Sequence, residues 1–76
     1  MALVESYVVH AINFAGDDFK HFRLRREAAA YASTLVKYGD AHRADIYSVP
    51  VGGISAPIAI AALKTGFGEL VESRTQ

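Results

Sequence analysis

Two runs of β-branched and aromatic residues near the start of the chain, separated by a short turn, constrain the fold most. Residues 3–14 (LVESYVVHAINF) and residues 19–26 (FKHFRLRR) flank the sequence AGDD, whose glycine and aspartates favour a turn. The two runs are therefore predicted to form a β-hairpin, with one of its faces turned toward the core.

The arginines of the second run indicate which face of this hairpin turns outward. The predicted register pairs Phe14 with Phe19, Ile12 with His21, His10 with Arg23 and Val8 with Arg25. The opposite face then carries the apolar set Tyr7, Val9, Ala11, Phe22 and Leu24. A slip by one residue would turn the arginines into the core, so the chemistry favours this assignment of faces.

Residues 26–40 (REAAAYASTLVKYGD) change to helical spacing. Apolar side chains recur three and four residues apart and form one stripe: Ala28, Tyr31, Ala32, Leu35 and Tyr38. Gly39 follows where a left-handed residue ends many helices. The segment is predicted to be the first helix.

The second half of the chain repeats the strand–helix–strand pattern. Residues 44–51 (ADIYSVPV) are predicted as a third strand, and Ser55 as the N-cap of a helix over residues 56–65. This second helix is apolar on nearly every side and ends at Gly66 and Gly68. We interpret residues 68–74 (GELVESR) as a fourth strand, with a continued helix as the alternative.

The element order β-β-α-β-α-β predicts a single small α+β domain over residues 1–76. The simplest arrangement is a two-layer sandwich, in which both helices cover one face of a small, mostly antiparallel sheet. The helix between the second and third strands is expected to leave those strands parallel. The predicted core consists of Tyr7, Val9, Phe22, Leu24, Tyr31, Leu35, Ile46, Ile58 and Leu63.

Composition limits the classes of function. The chain has 76 residues, eight basic and eight acidic, and no cysteine, which excludes thiolate metal sites and cysteine catalysis. A general nucleic-acid binder usually has a basic excess, although a balanced chain can still segregate its charges. The longest apolar run, residues 54–63, is too short to cross a membrane. We expect a soluble, cytoplasmic protein that does not bind a membrane.

The outer face of the hairpin is the predicted binding surface, because it combines arginine with aromatic and histidine side chains. Its predicted residues are His10, Phe14, Phe19, His21, Arg23, Arg25 and Arg26. A 51% hydrophobic content and the apolar second helix favour a non-enzymatic protein-interaction module that self-associates as a homodimer. The alternative is single-stranded nucleic acid, which such a face would bind through stacking and phosphate contacts.

The sequence VPVGGISAP (residues 49–57) raises the question of an anion site. Gly52, Gly53 and Ser55 lie between a strand and a helix N-terminus, where backbone N–H groups can bind phosphate. The P-loop and dinucleotide-binding patterns are both absent, so the two glycines favour an ordinary turn at positive φ before a capped helix, with an anion site as the alternative. The three histidines have no metal-ligand spacing, and no nucleophile motif is present. We therefore expect no catalytic residues, no metal and no cofactor.

Overall fold

The computed structural model describes residues 6–13, 15–49 and 56–75. Its elements are β1 (Ser6–Asn13), β2 (Gly16–Phe22), α1 (Arg25–Lys37), β3 (Arg43–Val49), α2 (Ala56–Lys64) and β4 (Glu69–Thr75). The predicted α+β class and the order β-β-α-β-α-β are confirmed. Residues 69–75 form a strand, as the two glycines before them indicated.

The four strands form one sheet in the order β2-β1-β3-β4, and every neighbouring pair is antiparallel. Because β2 and β3 flank β1 and both oppose it, they run parallel to each other, as the crossover through α1 predicted. The register between β3 and β4 shifts between Ile46 and Tyr47. Strands β2 and β4 are the edges of the sheet.

The hairpin register differs from the predicted one by four residues. Val8 pairs with His21 and His10 pairs with Phe19, whereas the predicted partners of Val8 and His10 were Arg25 and Arg23. The cause is a tighter turn, in which Asn13 Oδ1 accepts a hydrogen bond of 2.9 Å from the backbone N–H of Ala15. Since the shift is an even number, each side chain that lies within β1 or β2 keeps its predicted face.

The second strand is also shorter than predicted, and the helix starts earlier. β2 ends at Phe22, while Arg25 and Arg26 already form the first turn of α1. Leu24 takes the N-cap position in an extended conformation, and its side chain makes no capping hydrogen bond. It is 45% exposed, so its assignment to the core was wrong.

Helix α1 packs on the inner face of the sheet. Its alanines Ala28 and Ala32 are fully buried against Val9, Ala44 and Ile46. Tyr7, Phe22 and Tyr31, all predicted for the core, are partly buried around this cluster. Leu35 is half-buried, and the predicted stripe ends there, because Tyr38 is 70% exposed.

Helix α2 packs on the outer face, so the prediction that both helices share one face was wrong. Ile60, Ala62 and Leu63 pack with Phe19 against the buried pair Val8 and Val49. Consecutive strand residues point to opposite faces, so Val8 lies on the outer face and Val9 on the inner one. The outer face therefore has apolar residues of its own to cover, and α2 covers them. The side chain of Ile58 lies outside what the structure describes.

Both helices end in the same way, with a glycine at positive φ. The φ angles are 77° at Gly39 and 96° at Gly66. Beyond α2, the N–H of Phe67 bonds to the carbonyl of Ala62 at 3.0 Å and the N–H of Gly66 to that of Leu63 at 3.0 Å. This is the Schellman arrangement, and it confirms the predicted helix stops.

Candidate functional site

A groove lies between the end of α2 and the outer face of the sheet. It has a volume of about 340 Å³, and we call it the α2 groove. Its lining residues are His10, Phe19, Tyr47, Leu63, Lys64, Gly66 and Gly68. Strands β1, β2 and β3 supply the floor, while α2 and the loop after it supply one wall.

Phe19 is fixed in the groove by contacts from two elements. The His10 ring, on the neighbouring strand, stacks on the Phe19 ring with centroids 4.4 Å apart and an angle of 7° between the planes. From α2, the ammonium group of Lys64 lies 4.7 Å from the centre of the Phe19 ring. This cation–π contact ties the end of the helix to the edge strand.

The glycines of the wall let the chain turn close to the helix. Gly66 supplies the positive φ that ends α2. At Gly68 the backbone passes so near the helix that an added Cβ would overlap Leu63 Cδ1. The loop therefore leads directly from α2 into β4, beside the floor residue Tyr47.

Two large apolar side chains next to the groove are exposed to solvent. Phe67, between the two lining glycines, is 66% exposed, and Leu70, which pairs with Tyr47, is 48% exposed. The sequence prediction missed both, because the Gly-Phe-Gly segment was interpreted only as a helix stop and Leu70 only as part of the fourth strand. The sequence feature that could have identified Phe67 is its position between two glycines, in a turn that has no structural need for a large aromatic side chain.

Polar and charged side chains of the outer face contact one another, both at the groove residue His10 and farther from the groove. His10 Nε2 lies 2.7 Å from Asp17 Oδ2. The buried Asp45, 4% exposed, accepts hydrogen bonds from Ser73 Oγ at 2.6 Å and Arg43 Nε at 2.8 Å. The pKa of Arg43 is raised, first by this hydrogen bond and then by Coulomb attraction to the same carboxylate. The pairs leave this region without a single dominant sign of charge.

The predicted binding surface is only partly assembled. His10, Phe19 and His21 share the outer face, as the register now places them. Arg23 lies in an exposed bend, and Arg25 and Arg26 belong to α1, so the predicted row of arginines on the hairpin was wrong. Phe14, Gly52, Gly53 and Ser55 lie outside the described residues.

Arg25 has a structural partner on the inner side of the sheet. Its Nε lies 3.1 Å from Glu72 Oε2, and Arg74 Nη2 lies 2.9 Å from Glu72 Oε1. The pKa of Glu72 is lowered, first by the hydrogen bond from Arg25 and then by that from Arg74. The Arg25–Glu72 ion pair links the start of α1 to β4. The guanidinium of Arg25, which was predicted to belong to the binding surface, therefore already has a carboxylate partner.

His21 lies on the outer face opposite Val8. Its Nε2 atom is buried and has no hydrogen-bond partner among the described residues. Within the same part of the chain, no group of three or more histidine, aspartate and glutamate side chains is placed to hold a metal ion. Neither described helix has the length and apolar character needed to cross a bilayer.

Comparisons of this chain with protein-family models, with curated proteins and with solved structures found no match. A function for this chain therefore has to be argued from its own geometry. That geometry offers an aromatic and aliphatic groove with one ammonium group, Lys64, at its rim.

Proposed function

We propose that this chain is a non-enzymatic protein-interaction domain and that the α2 groove, together with Phe67 and Leu70, is its contact surface. The observation that carries the proposal is the exposure of these two side chains beside an apolar groove, at 66% and 48%. Exposed apolar groups that cluster on a small domain commonly mark a surface that a partner covers.

The composition of this surface supports protein contact. Protein interfaces are enriched in aromatic residues at their centres, with polar groups around them. Here Phe19 and Tyr47 form the aromatic part of the floor beside His10, Phe67 lies next to the groove, and Lys64 lies at the rim. The Phe19 ring is held by His10 and Lys64, so a partner would meet a surface that is already ordered.

The alternative of nucleic-acid binding receives less support from the described residues. Arg25 is paired with Glu72, and Arg43 is paired with Asp45. A strand of nucleic acid would have to compete with these carboxylates for the guanidinium groups. Binding of labelled single-stranded oligonucleotides that weakens steeply with salt would favour this alternative over ours.

Two further predictions from the sequence, the anion site and the cytoplasmic location, remain predictions. Anion binding at Gly52, Gly53 and Ser55 concerns residues outside the described part of the chain. A cytoplasmic location remains a proposal that fits the absence of cysteine from the sequence.

Site-specific photo-crosslinking tests the proposed surface. A photoreactive phenylalanine analogue would replace Phe67 in one variant and Tyr38 in the control, since both are exposed aromatic residues but Tyr38 lies at the end of α1. We expect a crosslinked polypeptide from position 67 and none from position 38 at the same protein level. Crosslinks from position 38 alone, or from neither position, would contradict the proposal.

A further inference from the structure

The lining of the α2 groove includes a cation, Lys64, and an anion, Asp17, lies on the same face of the sheet outside that lining. The ammonium of Lys64 contacts the Phe19 ring and has no carboxylate partner among the described residues. Asp17, two residues from Phe19 on the same strand face, keeps a side chain that is 54% exposed while it contacts His10. The Phe19 ring thus contacts a positive group that has no carboxylate partner among the described residues, and an exposed carboxylate lies two residues before it on β2.

The wider outer face is balanced in the same way. Arg43 on this face is paired with the buried Asp45, so the exposed charges that remain for a partner are Lys64, which is positive, and Asp17, which is negative. A surface with equal numbers of both signs does not select a strongly acidic or strongly basic partner. It does suit a partner that presents the same surface, because each sign can then meet its opposite.

The outer face is also only partly covered by α2. The described contacts of α2 are with Phe19, Val8 and Val49. In the row of the sheet next to the hairpin turn, Ile12 is half-buried and Asp17 and Arg43 are exposed. This open stretch of sheet is therefore available to a second copy related by a twofold axis.

Association of two copies would meet no general repulsion and would bury exposed apolar groups. The chain has eight basic and eight acidic residues, so copies carry no net charge at pH 7. The largest fully buried side chains of the described part are Ile46, Val8, Val9 and Val49. Covering Phe67 and Leu70 would add apolar burial that the monomer lacks.

We infer that the partner of the α2 groove is a second copy of this chain, in a twofold dimer where Lys64 of each copy meets Asp17 of the other. This inference rests on the proposed function and names its partner. Apolar contact between the two grooves, with Phe67 and Leu70 at their margin, would supply the attraction. The two reciprocal charge pairs would set the relative orientation.

Charge reversal tests the pairing, with sedimentation velocity from about 1 µM to about 500 µM as the measurement. In Lys64→Glu both cross-copy pairs become acid against acid, and in Asp17→Lys both become base against base. Each single variant should dimerise about tenfold or more weakly than the original chain. A mixture of the two variants should recover the affinity, because in the mixed dimer both pairs are again opposite in sign.

Lys37→Glu on α1 is the control, and it should leave the dimer unchanged. Thermal unfolding of each variant confirms that the loss is not unfolding, and the recovery in the mixture gives the same assurance independently. A monomer at all concentrations, or single variants that dimerise normally, would overturn the inference. So would a mixture that fails to recover. If the original chain is monomeric yet position 67 still crosslinks to another polypeptide, only the identity of the partner is wrong; if position 67 forms no crosslink either, the proposed function also fails.

Discussion

At the scale of single residues, Gly66 has a defined structural role. Its φ of 96° ends α2 and places Phe67 at the margin of the groove. No heavy atom lies within 4 Å of where its Cβ would be, so a substitution acts through the backbone and not through a clash. Gly66→Ala should lower the free energy of unfolding by about 1 kcal/mol. Urea denaturation measures this, and Gly66→Asn should lose less, because asparagine tolerates positive φ better. Equal stability of all three proteins would contradict this role.

Glu72 makes a prediction about pH. Its pKa lies below the ordinary value of 4.5 because Arg25 and Arg74 donate hydrogen bonds to the carboxylate. A carboxylate whose pKa is lowered by folding stabilises the fold above its ordinary value, and this contribution is lost as the pH falls through the lowered pKa.

Glu72→Gln should therefore cost about 0.5–1 kcal/mol at pH 7, the range expected for a partly exposed pair. The difference from the original chain should shrink as the pH falls below about 4.5. Chemical denaturation across this pH range is the measurement. Glu69→Gln, on an exposed residue with no ion pair among the described residues, is the matched control. A difference that stays constant with pH would contradict the assigned cause.

The sequence predicted some residues of the site and not others for a physical reason. The outer face was predicted correctly for Phe19, His10 and His21. Side chains alternate between the two faces of a sheet, so a register shift by an even number of residues leaves each one on its face. The arginines were assigned to the wrong element, because their position depends on where β2 ends and not on the alternation of side chains along the strand. The hairpin turns earlier than predicted, so Arg25 lies in α1. Phe67 was missed because exposure of a loop residue depends on contacts far away in the chain.

At the scale of elements, α1 lacks a feature that most helices have. Leu24 is its N-cap, in an extended conformation suited to a capping side chain, yet it offers no acceptor to the free backbone N–H groups. Three arginines, Arg23, Arg25 and Arg26, lie within two residues of Leu24 in the sequence, where positive charge opposes the helix dipole. Glu27 is the acidic residue of the first turn.

Leu24→Asp should therefore raise the free energy of unfolding by about 0.5–2 kcal/mol. The aspartate would accept a hydrogen bond from the first turn and would oppose the local positive charge. Leu24 is 45% exposed, so little apolar burial is lost. Leu24→Ala, which removes the side chain without adding an acceptor, is the control. If aspartate and alanine give the same denaturation midpoint, the missing cap does not limit stability.

The two helices show when an apolar pattern in the sequence predicts how a helix packs on the sheet and when it does not. The stripe through Ala28 and Ala32 defined one buried side of α1, and the structure buries that side. Helix α2 is apolar all round, so its sequence carries no stripe that distinguishes one face of the sheet from the other. The decisive information lies in the strands, where Val8 and Phe19 form an apolar set on the outer face.

At the scale of the whole molecule, a sheet lies between two helices of different character. Helix α1, with its buried alanines and the link from Arg25 to Glu72, stabilises the inner side. Helix α2 covers part of the outer side and leaves a groove with exposed apolar residues beside it. In our proposal, the inner face with α1 mainly stabilises the fold, and the outer face with α2 binds the partner.

The most direct test of this account is the concentration dependence of amide signals in nuclear magnetic resonance. Between about 20 µM and about 500 µM, the signals of Phe19, Leu63 and Gly66 should shift or broaden as dimers form. Those of Ala30 and Ser33, exposed on α1, should stay constant. Spectra that do not change with concentration, or changes confined to α1, would contradict a dimer formed through the α2 groove.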